Sequence, residues 1–523
     1  MDMNDSGKKL LSHQFNSRVG ALLLIVILGL IGTAPRSRAL DPKRWSPVVP
    51  RTWDDELIST LEVPLPDAAA SAQHVSADYY YQIPVRPVYR TYPVYRPGRE
   101  PAGYLEWLRK REPETLFDST RLRTKEQWRR AGERVFDAPI DFESEGSALF
   151  KLLRDPAWYE VKGVSVTRDG MLPNFTYVVR EKGKVEVGVL ACASCHTRVT
   201  PDGRAFKGAQ GNFPDDRMFG FEMRFENRRS DDKADHLRRM RSFMRRSYGA
   251  PWVSDDPNAQ LQTMSVDELA AIMEAIPPGV CARQGSSPFY PPRIPDLFGV
   301  KDRKYLDASG HFRNRDTGDL MRYAALNQGM DELSRYGTWR PTEPLPEPAK
   351  LGRYSDEQLY ALALYLESLE PPPSPYPFNR LAAQGKRVFQ EERCARCHTP
   401  PLYTNNKLIP ADEFTVPKEH REQFHVASTH LGTDSSLTLR SRRGSGYYKV
   451  PGLRGLWLRG PFEHNGSVAT LEDWFDARRV QEDYQPTGFR RFGLAPQAVK
   501  GHDFGLDLSS QDKRALIAFL MTL

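Results

Sequence analysis

The sequence predicts a mainly α-helical protein built from two helical domains, with long loops, one small β-hairpin and an extended N-terminal segment. Residues 355–369 and 510–523 share one amphipathic pattern, because Leu362, Leu366 and Leu369 recur as Leu516, Leu520 and Leu523. Alternating apolar and polar residues within 164–189 are typical of a hairpin. The proline- and tyrosine-rich stretch over 79–95 favours extended chain, since prolines interrupt helices.

The N-terminus has the pattern of an export signal. Lys8 and Lys9 precede an apolar run over residues 20–34, and small residues end at Ala39. The run is shorter than the roughly 20 residues that a membrane span requires. We therefore expect a cleaved signal over 1–39, a periplasmic or secreted protein and no membrane span in the mature chain; an uncleaved anchor is the weaker alternative.

The rest of the chain divides into three predicted parts. The signal is followed by an extended Pro/Tyr-rich N-terminal segment over 40–130. A proline-rich stretch over 370–378 is typical of a semi-rigid linker. We place the domain boundary there, between an N-terminal domain over 131–372, which carries a large insertion, and a C-terminal domain over 376–523.

Composition and charge exclude some classes of protein. The 523 residues are 39% hydrophobic and 27% charged, which argues against wholesale disorder. The formal net charge is +7, but 74 Lys and Arg are interspersed with 67 Asp and Glu. Without a long basic stripe we expect no nucleic acid partner. A mildly basic surface suits small, acidic redox proteins as electron partners.

Two Cys-x-x-Cys-His motifs carry the strongest chemical signal. Thiols at this spacing can each bond one vinyl group of a single porphyrin, and the next imidazole can bind its iron. We therefore predict two covalently bound haem c groups in two cytochrome c-like domains. The predicted attachment and proximal residues are Cys192, Cys195 and His196 in the first motif, and Cys394, Cys397 and His398 in the second.

Two other interpretations compete with haem. The two cysteine pairs can form one four-thiolate zinc site, or each pair can form a disulfide. The immediate His in both motifs, their wide separation and the export signal all favour haem. Cys281 is then the odd cysteine, and we expect a buried, inert side chain rather than a reactive thiol.

The second axial position of each iron decides between electron transfer and chemistry, because an open position binds oxygen or peroxide. For the second haem, His502 is the preferred ligand, since its loop just precedes the closing helix over 510–523. His464 is the runner-up, with a structural role in a turn as the plainer interpretation. His311, in a glycine turn, is expected to be exposed.

The first haem has no evident second ligand in the sequence. Apolar candidates for its distal side are Phe298, Phe312, Met321 and Met330, which we interpret mainly as core residues. The lack of an obvious ligand favours an open site. Trp252, Trp339 and Trp457 are candidates for positions between the two haems, although tryptophan is more often a core residue.

The run over 450–471 resembles the C-terminal haem domain of bacterial di-haem cytochrome c peroxidases. It contains Pro461-Phe462-Glu463-His464-Asn465-Gly466-Ser467 followed by Thr470-Leu471. The chain length, the wide separation of the motifs and the sequence around His502 most resemble the di-haem rubber oxygenase branch of that superfamily. The resemblance implies His502 on the second haem, an open first haem that binds dioxygen, and a distal-pocket segment within 294–337.

Two functions follow as hypotheses. The first is an exported di-haem oxidoreductase, peroxidase-like or rubber-oxygenase-like, in which the haem on His196 reacts with dioxygen or peroxide and the second haem stores or relays electrons. Its substrate would be peroxide, dioxygen or an apolar organic molecule. The alternative is a non-enzymatic periplasmic electron carrier. The catalytic side chains are unknown at this level, and an inter-domain calcium ion is left open.

Overall fold

The computed structural model describes residues 45–494 and 496–523, apart from the side chains at positions 161, 162 and 330. The predicted signal over 1–39 lies outside this part. Trp45–Leu523 folds as one compact unit, and the proposed division at 370–378 stays a prediction. None of the helices in the described chain has the length and apolar character to cross a bilayer.

The described chain is mainly helical with short strands, which confirms the predicted fold class at this level. The helices are α1 (Asp55–Ser59), α2 (Ala77–Gln82), α3 (Tyr104–Arg109), α4 (Lys125–Asp137), α5 (Ala148–Leu152), α6 (Pro156–Lys162), α7 (Cys192–Cys195), α8 (Asp215–Arg229), α9 (Lys233–Tyr248), α10 (Val266–Glu274), α11 (Thr317–Leu333), α12 (Asp356–Glu367), α13 (Arg380–Glu391), α14 (Lys418–Gln423), α15 (Ser436–Leu439), α16 (Leu471–Trp474) and α17 (Ser510–Leu520). The strands are β1 (Ala72–His74), β2 (Thr91–Tyr95), β3 (Asp141–Ser144), β4 (Met171–Glu181), β5 (Lys184–Val189), β6 (Thr197–Val199), β7 (Ala205–Lys207), β8 (Tyr305–Leu306), β9 (Phe312–Arg313), β10 (Ser334–Tyr336), β11 (Leu408–Pro410) and β12 (Tyr447–Lys449).

Two pairs of helices cross in the same way, one pair for each motif. A Cβ atom on Gly132 of α4 would lie 1.8 Å from the carbonyl oxygen of Ala361 in α12. A Cβ atom on Gly385 of α13 would lie equally close, 1.8 Å, to the carbonyl oxygen of Ala515 in α17. Glycine therefore lets the backbones touch at both crossings, which fixes the two pairs in equivalent geometry.

Side-chain caps define where these framing helices begin. Thr124 before α4 and Ser355 before α12 each form a capping box with the glutamine three residues later. Asn379 and Ser509 cap α13 and α17 by accepting a backbone N–H bond. The helices predicted over 355–369 and 510–523 are thus confirmed, with ends that shift by a few residues.

The predicted hairpin is confirmed and forms the centre of a larger antiparallel sheet. Strands β4 and β5 pair with Thr176 opposite Gly188. Strands β2 and β3 add to its two sides, so the sheet order is β2-β4-β5-β3. Strand β2 comes from the proline- and tyrosine-rich segment, where extended chain was expected.

The expectation that this segment contains no helix is wrong at its first tyrosines. Ala77–Gln82 forms α2, whose first turn is capped by the Ser76 hydroxyl. No proline interrupts these six residues, because the next one follows at Pro84. The ring of Tyr80 stacks on Trp53 at 4.2 Å, and both side chains are buried. Packing of this aromatic pair stabilises the short helix.

Two apolar clusters lie beside the two motifs. The first contains Trp53, Tyr80 and buried residues of α11 and α12, and Cys192 packs against it. The second contains residues of α13, α16 and α17, and Cys394 packs against it. Each cysteine motif therefore lies at the edge of a hydrophobic core rather than on a free surface loop.

Candidate functional site

The first Cys-x-x-Cys-His motif forms one helical turn held against the central sheet. The His196 backbone N–H donates to the Cys192 carbonyl at 3.1 Å, closing the turn of α7. Asn174 of β4 donates from Nδ2 to the Ser194 carbonyl at 2.8 Å, and the Ser194 hydroxyl donates back to the Asn174 carbonyl at 2.8 Å. This reciprocal pair of buried bonds fixes the turn and the direction of the following imidazole.

His196 is prepared to bind a metal ion through one ring nitrogen. Its Nδ1 lies 3.0 Å from the carbonyl oxygen of Pro295 and, as the donor in this bond, carries the ring proton. Burial lowers the pKa of His196 to about 4, so the ring is neutral at physiological pH. Its Nε2 then has a free lone pair, the form that metal-binding histidines adopt.

The second motif repeats this arrangement in a different turn. Cys394–Arg396 forms a 3₁₀ turn, and the His398 backbone N–H donates to the Cys394 carbonyl at 2.8 Å. The Nδ1 of His398 lies 3.0 Å from the Tyr403 carbonyl and 3.2 Å from the Pro451 carbonyl. Burial lowers the pKa of His398 to about 4 as well. Both motif histidines therefore bind a proline carbonyl through Nδ1 and keep Nε2 free.

The cysteines of both motifs are free thiols in the structure. Burial raises the pKa of Cys192 to about 12 and that of Cys394 to about 11. Over residues 45–494 and 496–523, no three His, Cys, Asp or Glu side chains are arranged to hold a metal ion. The four thiols accordingly do not meet in a zinc site of the alternative kind.

His502 faces His398 at the separation expected for two imidazoles on one metal ion. The two ring centres are 6.3 Å apart, with 54° between the ring planes. Imidazoles that bind a metal from opposite sides, with metal–nitrogen bonds of about 2 Å, have ring centres about 6 to 6.5 Å apart. The Nδ1 of His502 is buried and has no hydrogen-bond partner among the described residues. The residues present at the second motif therefore fit a metal with two axial histidines.

The ring of His502 is enclosed by aromatic residues. Trp474 lies 5.2 Å and Phe504 lies 5.5 Å from it, measured between ring centres. Burial lowers the pKa of His502 below its usual value, so it too is neutral near pH 7. A neutral imidazole in an apolar setting is a good metal ligand, because the nitrogen lone pair is not protonated.

The runner-up, His464, has a different environment. Its Nδ1 lies 2.8 Å from the Glu463 carboxylate, and its ring packs on Tyr448 at 4.5 Å. Although burial opposes ionisation, this contact lowers the pKa of Glu463 to about 2. The structure thus brings His502 to His398, and it uses His464 to hold a buried carboxylate.

The first motif packs on an apolar cluster at Cys192, has charged groups near Cys195 and His196, and contains no comparable histidine pair. No ring contact joins His196 to another described histidine. Phe312 and Met321 are fully buried in the cluster that packs on Cys192. Phe298 lies in a separate small cluster with Leu458, and the side chain of Met330 is outside the described residues.

A cavity of about 450 Å³ borders this apolar cluster. Tyr354 belongs to both, since it lines the cavity and lies in the cluster on which Cys192 packs. The volume lies within the range of pockets that hold organic ligands and cofactors. Other residues lining the cavity include Tyr80, Ile83, Arg86, Asp141, Arg180, Ala325, Glu332, Lys350 and Arg353. The cavity therefore reaches the cluster on which Cys192 packs, and its lining mixes apolar side chains with charged ones, but no residue of the first motif lines it.

Hydrogen bonds connect the carbonyl acceptors of the two motif histidines. Pro295 is followed by Asp296, whose carboxylate forms an ion pair with Arg459 at 3.0 Å. Arg459 donates from Nη1 to the Gly452 carbonyl at 2.6 Å, next to Pro451. Asp296 and Arg459 are buried, whereas Pro295, Pro451 and Gly452 are half-buried. These residues offer a connection of covalent and hydrogen bonds from one motif to the other.

The charge of Asp296 is held by two arginines. Arg303 forms an ion pair with it at 2.5 Å, in addition to Arg459. Burial alone would raise the pKa of Asp296, but the two guanidinium groups lower it to about 2. The carboxylate is therefore ionised at neutral pH, and the path between the motifs remains intact there.

Two residues of the sequence analysis behave differently from expectation. His311 is buried, not exposed, because the backbone of the N-terminal segment pairs with its strand and Glu62 lies 3.3 Å from its Nε2. Cys281 is half-buried, and its thiol contacts that of Cys195, so it does have a neighbouring thiol.

The tryptophans fall into two groups. Trp252 and Trp339 pack with Tyr336 in a small cluster on the N-terminal segment. Trp457 contacts Phe206 at 5.8 Å, and these two residues follow the second and first motifs, respectively. Trp457 is therefore in contact with a residue from the other half of the chain, and so is Trp339, because the Arg442 guanidinium lies 5.2 Å from its ring centre.

Several site residues were missed in the sequence. The helix α4 carries Gly132 and Phe136 at the same spacing as Gly385 and Phe389 in α13, so an internal comparison had the signal for the first crossing. The carbonyls of Pro295 and Pro451 carried no such signal, because any residue provides a carbonyl oxygen.

Comparisons with known proteins show limited likeness. No protein-family model and no curated protein matches the chain. Among solved structures, hydrazine synthase from Kuenenia stuttgartiensis is 15% identical over 56% of this chain and 89% of that chain, with a TM-score of 0.28. A MauG-like protein associated with microbial copper homeostasis is 19% identical over 32% of this chain and 56% of that chain, with a TM-score of 0.21. Likenesses of this extent define neither the fold nor the function of the chain.

Proposed function

We propose that the chain is an exported di-haem c-type cytochrome oxidoreductase. Oxygen or peroxide chemistry takes place at the haem of the first motif, and the haem of the second motif stores and relays electrons. The single observation that carries this proposal is the asymmetry between two otherwise equivalent centres: His398 has His502 opposite it, and His196 faces no described histidine.

The cysteines and histidines of the two motifs fit covalently bound haem. The thiols of Cys192 and Cys195, and those of Cys394 and Cys397, would hold one porphyrin each, with His196 and His398 as proximal ligands. A bound haem supplies a redox-active iron whose sixth position is either filled by a side chain or open to a small oxygen ligand. The zinc and disulfide alternatives receive no support from the arrangement of the thiols.

The protein contributes orientation and proton control. Carbonyls of Pro295 and Pro451 hold the proton at Nδ1 of each motif histidine, so Nε2 stays deprotonated and fixed in direction. Burial of His196 and His398 keeps both rings neutral and excludes water. These features favour stable axial ligation at both centres.

The two centres then need different second ligands for different roles. His502 would complete the second centre, which suits electron storage because little has to rearrange when the charge changes. At the first centre, no described histidine contacts the His196 ring, so the position opposite it would be open to dioxygen or peroxide. The cavity that borders the cluster on Cys192 is the proposed space for an organic substrate. Electrons would pass along the connection through Asp296 and Arg459.

The resemblance of the 450–471 run and the His502 loop supports the same division of roles and favours the rubber-oxygenase-like branch. Export to the periplasm or outside the cell is proposed from the signal pattern over 1–39, and small acidic redox proteins are the proposed electron partners. Calcium between the domains stays an expectation of the sequence.

Turnover and covalent attachment test the proposal together. Exported protein is purified, its haem content is measured after acid–acetone extraction, and it is assayed with peroxide plus a reduced electron donor and with polyisoprene plus dioxygen. The expected result is two haems that remain on the polypeptide and turnover in one of the two assays. Extractable pigment refutes covalent attachment. Two retained haems without turnover, and without binding of any small ligand, identify the electron carrier instead.

A further inference from the structure

Arg479 holds the loop that carries His502. Its guanidinium donates four hydrogen bonds to backbone carbonyls: from Nε to Trp474 at 2.9 Å, from Nη1 to Val499 at 2.6 Å and Gly501 at 3.0 Å, and from Nη2 to His502 at 2.8 Å. The side chain is 0% exposed. Three of its four acceptors belong to the His502 loop, and the fourth, Trp474, flanks the His502 ring.

The environment of Arg479 is unusual for a buried cation. It forms no ion pair with a carboxylate in the described part of the chain, and burial lowers its pKa, while the charges of Glu463 and Asp503 act in the opposite direction. A buried charge is costly unless its donors are satisfied. Here carbonyl groups of one loop and one neighbouring helix satisfy it, so the cation and the loop conformation stabilise each other.

The loop needs such support because its backbone is strained. Gly501 has φ of 89° and His502 has φ of 52°, both in the left-handed region. A side chain on Gly501 would place its Cβ 2.7 Å from the Thr433 hydroxyl oxygen. For a residue with a side chain, such as His502, this backbone conformation costs about 1–3 kcal/mol and persists only where surrounding contacts enforce it.

We propose that Arg479 is a positioning residue that keeps His502 on the second centre. The inference rests on the proposed function, in which His398 and His502 are the two axial ligands there. The guanidinium holds the carbonyls of Gly501 and His502 and thereby fixes the His502 ring 6.3 Å from that of His398. Loss of these bonds releases the loop and opens the second centre to external ligands.

The experiment compares Arg479→Gln with His502→Ala in the haem-loaded protein. Both are read by the low-spin signal of the second haem and by carbon monoxide binding to the reduced protein. Loss of the Arg479 hydrogen bonds is expected to raise the population of second haems without His502 on the iron about tenfold. His502→Ala is expected to abolish the low-spin signal of that haem. Free imidazole is expected to restore the low-spin signal in both variants, because it replaces the missing or displaced ligand.

Arg442→Gln is the matched control. Arg442 is also 0% exposed and donates to backbone carbonyls, those of Arg246 and Ser247, but it faces Asp331 rather than the His502 loop. A general loss of stability is expected in both arginine variants, whereas the spectral change is expected in Arg479→Gln alone. If Arg479→Gln does not fold, Arg479→Lys, which keeps the charge and fewer bonds, provides the same readout with a smaller change.

The outcomes separate the inference from the proposed function. If carbon monoxide binding to the second haem is unchanged in Arg479→Gln and Arg479→Lys, while His502→Ala loses the low-spin signal, the role of Arg479 is overturned and the proposed function stays intact. An unchanged second haem in His502→Ala refutes the ligand assignment and the inference with it. An equal spectral change in Arg442→Gln shows that a general loss of packing causes the change, rather than loss of the Arg479 hydrogen bonds to the His502 loop. That result also overturns the inference.

Discussion

The regions around the two motifs share a frame and differ in what stands opposite the histidine. In both, a glycine lets two helices cross in backbone contact, through Gly132 in one region and Gly385 in the other. In both, the motif histidine, half-buried at His196 and buried at His398, binds a proline carbonyl through Nδ1. In the second region a strained loop presents His502 to His398, whereas in the first region no described histidine contacts the His196 ring and Cys192 packs on an apolar cluster.

This difference shows how one local design can serve two roles. The shared frame consists of the helix crossing and the proline carbonyl. It keeps the motif imidazole neutral and fixes the direction of its ring. The position opposite is determined elsewhere in the chain: in the second region a loop before α17 brings His502 to His398, and in the first region no described histidine contacts the His196 ring. Equivalent substitutions in the two frames should therefore have similar effects in the two regions. A substitution of the residue opposite a motif histidine should affect that centre alone.

Replacing the motif cysteines should have the largest effect. Changing Cys192 and Cys195 together to Ser, or Cys394 and Cys397 together to Ser, is expected to remove one covalent haem in each case, because no thiol remains to form the bonds. Intact-mass measurement of the exported protein reads the loss. Cys281→Ser is the control and is expected to retain both haems. Two retained haems in either double variant would contradict the assignment of that motif.

His502→Ala should change the ligation of one centre completely. The second haem is expected to lose its low-spin spectrum, while the spectrum of the first haem stays as it is. Of the two motif histidines, only His398 contacts the His502 ring. Electron paramagnetic resonance of the oxidised protein distinguishes the two. His464→Ala is the matched control, because His464 contacts Glu463 and Tyr448 instead. A spectral change in the control and none in His502→Ala would reverse the choice between these histidines.

Substitution of the crossing glycines should destabilise both regions similarly. A Cβ on Gly132 or Gly385 would lie 1.8 Å from a backbone oxygen, so the helices must separate. We expect each Gly→Ala variant to lower the free energy of unfolding by about 3 kcal/mol. Gly146→Ala is the control, since its nearest neighbour would be 3.9 Å away, and a change within about 0.5 kcal/mol is expected. Denaturant titration measures all three; equal stability of the crossing variants and the control would show that the crossings are not constrained.

Acidification should release His502 with a gradual, smaller effect. Burial lowers the pKa of His502 from its usual 6.5, so the ring stays unprotonated and able to bind metal at pH 6.5 and above. As the pH falls below 6.5, protons compete for its nitrogen and the low-spin signal of the second haem is expected to decline. A spectrophotometric titration from pH 8 downward checks this. A midpoint at or above pH 6.5 would contradict a buried ligand.

The sequence predicted several of the helices and the motif residues, but few of the tertiary contacts that complete each site. Helices α12 and α17 follow from their shared amphipathic pattern, and the attachment residues follow from motif spacing. The short helix α2 is not predicted, because prolines are frequent in the segment as a whole. Tertiary packing of Tyr80 on Trp53 stabilises the helix locally. Propensity is a weak guide where tertiary contacts decide.

The parts of the site that depend on backbone groups were beyond sequence reasoning. Nothing in the residue types of Pro295 and Pro451 indicates that their carbonyls accept from the motif histidines. The burial of His311 and the carbonyl contacts of Arg479 likewise depend on segments that are distant in sequence. Such contacts form only when the chain closes on itself, and local patterns do not encode them.

Carbon monoxide titration of the reduced, haem-loaded protein tests the asymmetry between the two centres most directly. We predict that one molecule binds per chain that carries two haems, at the haem of the first motif, and that His502→Ala raises this number to two. Binding of none, or of two in the unmodified protein, would contradict the assignment of one open and one closed centre.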